Sequence, residues 1–155
     1  GLPTRRFAFE AFLPSDKKER QAVLAELVDE TRTIILYEAP HRLLKTLNEL
    51  LEVLGNRKMT LCRELTKKHE TAFVSTIEDI LKFYETQEPK GECVLVIEGK
   101  SRAELVKEER AKWEEMTIEE HMDVYLQQGM DKKEAMKAVA KDRGVSKRDI
   151  YQALL

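Results

Sequence analysis

Cys93-Val94-Leu95-Val96-Ile97, closed by Glu98-Gly99, is the segment that most constrains the fold. Five apolar residues in an unbroken run, three of them β-branched, suit a strand buried in a sheet. Thr33-Ile34-Ile35-Leu36-Tyr37 has the same character, as does Met59 to Cys62. Thr71 to Ser75 reads as a further strand, and Phe7 to Phe12 alternates about Phe7, Phe9 and Ala11 before Pro14-Ser15 interrupts it. Between these runs the apolar spacing changes to that of helices. Asp16 to Val28 carries Ala22, Val23, Leu24 and Leu27 among charges, and the stretch from Pro40 shows Leu43, Leu44, Leu47, Leu50, Leu51 and Leu54 on one face before Gly55-Asn56. Thr76 to Tyr84 reads as a helix with Ser75 or Thr76 as its cap and Glu78-Asp79 in its first turn. Strands alternating with helices predict an α/β layer, a mixed and mostly internal sheet flanked by helices, over residues 1–100.

Beyond Gly99 the pattern changes. Residues 101–116 form a charge-rich, partly helical connector, and residues 117–155 hold three short helical stretches, Ile118 to Gln128, Lys132 to Arg143 and Lys147 to Leu155. Thr117 or Met116 opens the first, Asp131 caps the second and Ser146 the third, and the tight Arg143-Gly144-Val145-Ser146 junction is that of a helix-turn-helix unit. The last 27 residues hold seven basic against four acidic side chains, so this module is basic although the chain has a formal net charge of −2. That balance argues against charge-driven nucleic-acid binding as the main activity and leaves room for a local patch. No apolar run approaches the ~20 residues of a membrane span and no signal peptide opens the chain, so a cytoplasmic protein without a membrane partner is expected. Cys62 and Cys93 lack metal or redox spacing and read as buried free thiols. Gly1-Leu2-Pro3 reads like the inside of a loop, so the chain is expected to be part of a longer protein.

Two polar stretches follow buried strands, where ligands of α/β proteins collect. In Tyr37-Glu38-Ala39-Pro40-His41-Arg42, Glu38 can accept hydrogen bonds from a ribose or an amine, and His41 and Arg42 offer donors to phosphate. The alternative is that Glu38 pairs with Arg42 and His41 merely starts a helix. Arg63-Glu64-Leu65-Thr66-Lys67-Lys68-His69-Glu70 is a dense polar loop that could orient an RNA backbone or a methyl acceptor, or could be a solvated charge run. His69-Glu70 lacks a second histidine at ligand spacing, so no metal site is assigned. Lys147, Arg148 and Tyr151 on the last helix could meet nucleic acid, or the helices could be a protein-contact cap.

These blocks together resemble the tetrapyrrole (corrin/porphyrin) methylase superfamily, in its branch that methylates ribosomal RNA of the small subunit. The resemblance rests on Leu2-Pro3 with Arg6-Phe7-Ala8-Phe9-Glu10-Ala11-Phe12-Leu13-Pro14, on Tyr37 to Arg42, on Arg63 to Lys67 with His69-Glu70, and on Lys90-Gly91-Glu92 with Val94-Leu95-Val96 and Glu98-Gly99. Ala11 stands where the family often has glycine, and Ala39 where it often has serine. The resemblance implies methyl transfer from S-adenosylmethionine to the 2′-hydroxyl of a cytidine in 16S rRNA of the 30S subunit, by a homodimer. It also implies a cofactor cleft between two domains, of which this chain forms the second wall and is not expected to act alone. Tyr37, Glu38 and Ala39 are then expected to border the cofactor. His41, Arg42, Arg63, Glu64, Lys67, His69 and Glu70, with Lys147 and Arg148 in the tail, become candidates for RNA contact or proton handling, and none is singled out as a catalytic base. A tetrapyrrole acceptor on the same fold is the alternative. A transcription regulator with a ligand-sensing α/β domain and a DNA-binding tail is a third reading.

Overall fold

A computed structural model describes residues 1–155, which form two compact units, Gly1–Ser101 and Arg102–Leu155. The first holds strands β1 (Phe7–Phe12), β2 (Thr33–Glu38), β3 (Lys58–Arg63), β4 (Thr71–Thr76) and β5 (Cys93–Ile97), in the spatial order β1-β2-β5-β3-β4. β1 and β2 run parallel, and every other pair is antiparallel. Parallel neighbours need a crossover connection, which helix α1 (Lys17–Leu27) supplies. β5 lies at the centre, hydrogen-bonded to β2 on one side and β3 on the other, which explains its uniformly apolar sequence.

Strand alternation sends Ile34, Leu36, Met59, Leu61, Leu95 and Ile97 to one face, where all are buried. Covering them are α1 with Leu24 and Leu27, α2 (Leu43–Leu54) with Leu43, Leu47 and Leu50, and α3 (Ile77–Glu85) with Ile77 and Ile80. Truncating one of these leucines to alanine typically costs about 2–5 kcal/mol, because the lost contacts leave a cavity. The opposite face has no helix of this unit over it. Phe7, Phe9 and Val74 there are 52%, 53% and 74% exposed. The mixed sheet with helices packed on it is the one expected, with apolar residues on both faces and the helices of this unit over one. Residues 1–4 run along the open face, held where the Thr33 hydroxyl donates to the Pro3 carbonyl at 2.6 Å.

In the second unit the helices are α4 (Arg102–Glu114), α5 (Ile118–Gln127), α6 (Lys132–Arg143) and α7 (Lys147–Ala153). Met122, Ala135, Val139, Ala140 and Ile150 make its core. Thr117 and Ser146 close reciprocal capping boxes with Glu120 and Asp149, and Asp131 caps α6. Gly144 ends α6 at φ +66°, and a Cβ there would lie 2.6 Å from the Arg110 guanidinium carbon. The charged stretch after Gly99 is α4, and it belongs to this unit. Its Trp113 stacks on His121 with ring centroids 4.0 Å apart.

His121 is fully buried. Arg143 Nε donates to its Nδ1 at 3.1 Å, which leaves the ring proton on Nε2, 3.3 Å from Asp142 Oδ2. The Tyr125 hydroxyl donates to the same Asp142 oxygen. The Arg143 guanidinium also donates to the carbonyls of Trp113 at 2.6 Å and Thr117 at 3.2 Å, so it closes the open end of α4. Burial pushes His121 below its ordinary pKa, against the opposing pull of Asp142. The Asp142 hydrogen bond, with burial, pushes Tyr125 up to about 12.

Candidate functional site

A cleft of about 540 Å³ opens where β1 and β2 end and β5 begins. Its walls are the rings of Phe12 and Tyr37, the Glu38-Ala39-Pro40 turn, Leu65, and Glu92 to Val94. The volume suits a small-molecule ligand, and the lining is mostly apolar. Phe12 and Tyr37 meet edge-to-face with centroids 5.7 Å apart, and Tyr37 meets Phe9 in the same way at 5.2 Å. A β-bulge between Phe9 and Ala11 turns Phe12 to the Tyr37 side, and Ala11 reaches φ +52° to make it.

Glu38 borders the cleft, yet its carboxyl faces inward and is 4% exposed. One oxygen accepts the N–H of Ala39 at 2.8 Å and the other the Thr46 hydroxyl at 2.6 Å. Thr46 in turn accepts from the Arg20 guanidinium at 2.8 Å, and Arg20, itself buried, pairs with Glu49 at 2.6 Å. This chain ties β2, α2 and α1 together beneath the cleft. Neither reading of Glu38 as a pair for Arg42 nor one of a free carboxylate describes this geometry. Arg42 instead approaches the Ser15 hydroxyl at 3.5 Å, and His41 stands exposed on the 3-10 turn Pro40–Arg42.

The second polar loop is held by a clasp. The Glu64 N–H donates to the Glu92 carbonyl at 3.0 Å, and the Glu64 carboxylate accepts the Glu92 N–H at 2.7 Å. Lys67 closes it at 2.9 Å from the Glu92 carboxylate and 3.4 Å from that of Glu64. Gly91, at φ +81°, permits this approach, since a Cβ would sit 2.5 Å from Glu64 Oε1. The Glu92 N–H holds the Glu64 carboxyl below the usual carboxylate range, which makes it a weak proton acceptor. Glu70 folds back to accept the Thr66 N–H at 2.6 Å. Both acids of the loop thus shape its backbone. Glu64 and Thr66 stand at φ +51° and +64°, a region that disfavours side chains with a Cβ, and such strain gathers at functional loops. Arg63 makes long contacts, 3.3 Å to Thr71 Oγ1 and 3.5 Å to the Tyr84 hydroxyl, and His69 is exposed.

The structure thus brings Tyr37, Glu38, Ala39 and the Glu64 loop to one cleft. Lys147 and Arg148 are exposed on α7 of the other unit. Phe12, Leu65 and Val94 also wall the cleft, and sequence reasoning left them out because each looks like a core residue. The bulge that exposes Phe12 had a signal, the alanine in a position that resembles a family glycine. Burial pushes the Cys93 thiol at the cleft floor up to about 11, so it remains an unreactive thiol. These walls fit an adenosyl cofactor as an apolar, aromatic surface, whereas Glu38 has both oxygens engaged and offers no free carboxylate to a ribose.

Comparison with known proteins gives the family. The family model for tetrapyrrole (corrin/porphyrin) methylases matches residues 2–81. Proteins named ribosomal RNA small subunit methyltransferase I are 44% identical in Halalkalibacterium halodurans, over 97% of this chain, and 42% identical in Bacillus subtilis, over 99%. Both alignments cover 52% of the relative, so the chain spans about half the length of the curated relatives it matches. The solved structure of cobalt precorrin-4 methyltransferase, a cobalamin biosynthetic enzyme, matches 60% of this chain and 40% of its own with a TM-score of 0.44 and 18% identity. No helix of the chain is long and apolar enough to cross a membrane. With the family model matched over residues 2–81 and the mixed sheet with its helices, the chain belongs to the tetrapyrrole (corrin/porphyrin) methylase family.

Proposed function

We propose that this chain forms one wall of the S-adenosylmethionine site of a methyltransferase that acts on small-subunit ribosomal RNA. The proposed acceptor is the 2′-hydroxyl of a cytidine in 16S rRNA within the 30S subunit, and the full-length protein is proposed to act as a cytoplasmic homodimer. Likeness to the ribosomal RNA methyltransferases along nearly the whole chain carries this reading. The chain alone is proposed to be inactive, since it offers only one side of the cleft and spans half its relatives.

The cofactor, when bound, supplies a methyl group activated on a sulfonium. This chain's part is binding and orientation, which can account for much of an acceleration of this kind. Phe12, Tyr37, Leu65 and Val94 exclude water from one side, and the clasp fixes Leu65 through its neighbour Glu64. Glu38 keeps the Ala39 N–H directed by its hydrogen bond and so sets the turn that borders the cofactor. Neither Glu38, engaged twice, nor Glu64, whose carboxylate accepts the Glu92 N–H and faces Lys67, is suited to take the hydroxyl proton.

The test is transfer of labelled methyl from S-adenosylmethionine to undermethylated 30S subunits, with this chain beside its full-length parent. Label from the parent alone is the expected result. Label from this chain alone would refute its incompleteness, and no label from a parent that binds cofactor would favour a tetrapyrrole acceptor. In the parent, Tyr37→Ala should raise KM for the cofactor severalfold, in keeping with one aromatic contact of about 1 kcal/mol.

A further inference from the structure

The acids and bases of residues 131–155 are put to different uses. Asp131 accepts the N–H groups of Lys133 and Glu134 as a helix cap, Asp142 is taken by His121 and Tyr125, and Asp149 closes the Ser146 capping box. Of the four acids only Glu134 is free of such a role. Among the bases, Arg143 turns inward onto carbonyls, while Lys133, Lys137, Lys141, Lys147 and Arg148 are exposed and form no ion pair. Lys133, Lys137 and Lys141 recur every four residues and centre the solvent face of α6, opposite the buried Ala135 and Val139. Successive lysines are therefore about 6 Å apart along the helix, comparable with the spacing of phosphates along a strand.

We infer that this lysine stripe of α6 is an RNA-backbone contact surface of the second unit. The inference deepens the proposed action on ribosomal RNA and rests on it for the identity of the partner. Phosphate is the chemistry that a row of uncompensated ammonium groups takes, and such contacts position without reading sequence. A protein partner is the weaker match. Lysine is depleted from protein interfaces, which rely on aromatic, methionine and arginine anchors, and the α6 stripe carries no exposed aromatic residue.

The experiment measures binding of this 155-residue chain to a transcribed hairpin of 16S rRNA across a salt series, with no cofactor present. Lys133→Gln/Lys137→Gln/Lys141→Gln should weaken binding at low salt about tenfold or more and reduce the log–log salt slope by about 2–3, close to one for each lost phosphate contact. The matching lysine-to-arginine triple should retain binding. Lys17→Gln/Lys18→Gln/Lys107→Gln removes equal charge elsewhere and should change affinity less than twofold. No binding by the parent chain, equal losses in the two glutamine triples, or binding of polyglutamate as tight as RNA would overturn the inference; the last would indicate an acidic protein partner. A failed methyl-transfer assay with this binding intact would sink the catalytic reading and leave the surface standing.

Discussion

The two units treat left-handed backbone in different ways. Around the cleft of the first, Ala11, Glu64 and Thr66 all take positive φ although each carries a Cβ. In the second, both positive-φ positions, Gly129 and Gly144, are glycines. The units also differ in what they bury. The first buries Arg20, which pairs with the part-exposed Glu49 and reaches through Thr46 to the buried Glu38, whereas the second buries a histidine stacked on a tryptophan. Local conflict of this kind collects where a site must be shaped, and the helical unit is locally consistent in a way the cleft is not.

The largest effect should come from the buried network of the first unit. Arg20→Ala removes the partner of the part-exposed Glu49 and the buried donor that holds Thr46 toward Glu38, and losing these charge-assisted hydrogen bonds costs about 2–3 kcal/mol. Urea unfolding followed by far-ultraviolet circular dichroism should show the midpoint fall. Trp113, the chain's one tryptophan, reports the second unit by fluorescence. A Trp113 transition falling as far as the sheet's would remove the contrast between the units. Gly144→Ala is the reciprocal change. It forces a Cβ into φ +66° and against the Arg110 guanidinium, so about 1.5 kcal/mol should be lost from the second unit. Arg110 is a flexible surface side chain that can move aside, so backbone strain makes up most of that figure.

Acidification should separate the units again. Burial lowers the pKa of His121 in the folded state, so between its free value near 6.5 and the lower folded one the unfolded chain binds more protons. Stability of the second unit therefore falls as pH drops through about 6.5, with a slope no steeper than one proton, about 1.4 kcal/mol per pH unit. The groups facing the ring are Asp142, Arg143, Tyr125 and Trp113. Unfolding monitored at Trp113 at pH 7.5 and 5.5 should show the loss, and His121→Gln should flatten it. An unchanged midpoint would mean that His121 takes up its proton as readily in the folded chain as in the unfolded one.

Much of this was legible beforehand because it is local. Five strands, the helix order and the caps at Thr76, Thr117, Asp131 and Ser146 follow from periodicity and from residues next to one another in the chain. What was hidden depends on distant partners. Ile35, Val94 and Val96 are of the same residue types as Ile34, Leu95 and Ile97, so no pattern told the open face from the covered one. Glu38 meets Thr46 and then Arg20 across three elements, and Glu64 meets Glu92 across 28 positions. The motif acids were therefore readable as important, while the turning of their carboxyls toward the protein's own backbone and hydroxyls was not. Trp113, His121, Asp142 and Arg143 carry no common spacing and meet only when α4, α5 and α6 pack.

The smallest effects bear most directly on the comparison, because they add stability where the cleft is strained. A left-handed residue with a Cβ costs roughly 1–2 kcal/mol, and the greater freedom lost by glycine returns about 0.5–1 of that. Thr66→Gly, relieving a β-branched residue at φ +64°, should therefore gain about 1 kcal/mol, and Ala11→Gly, at φ +52°, about 0.5. Glycine at position 11 would also restore the residue this stretch resembles in the family. The two gains should have different consequences for function. Ala11→Gly leaves the bulge that presents Phe12 intact, so the methyl transfer proposed for the full-length protein should be unchanged. Thr66→Gly loosens a loop whose shape depends on the Thr66 N–H meeting Glu70, and its gain in stability should come with a loss of kcat. If Ala11→Gly destabilised the chain, φ +52° would not be a strained state for this alanine, and the bulge would owe its shape to the packing of Phe12 on Tyr37 rather than to tolerated strain.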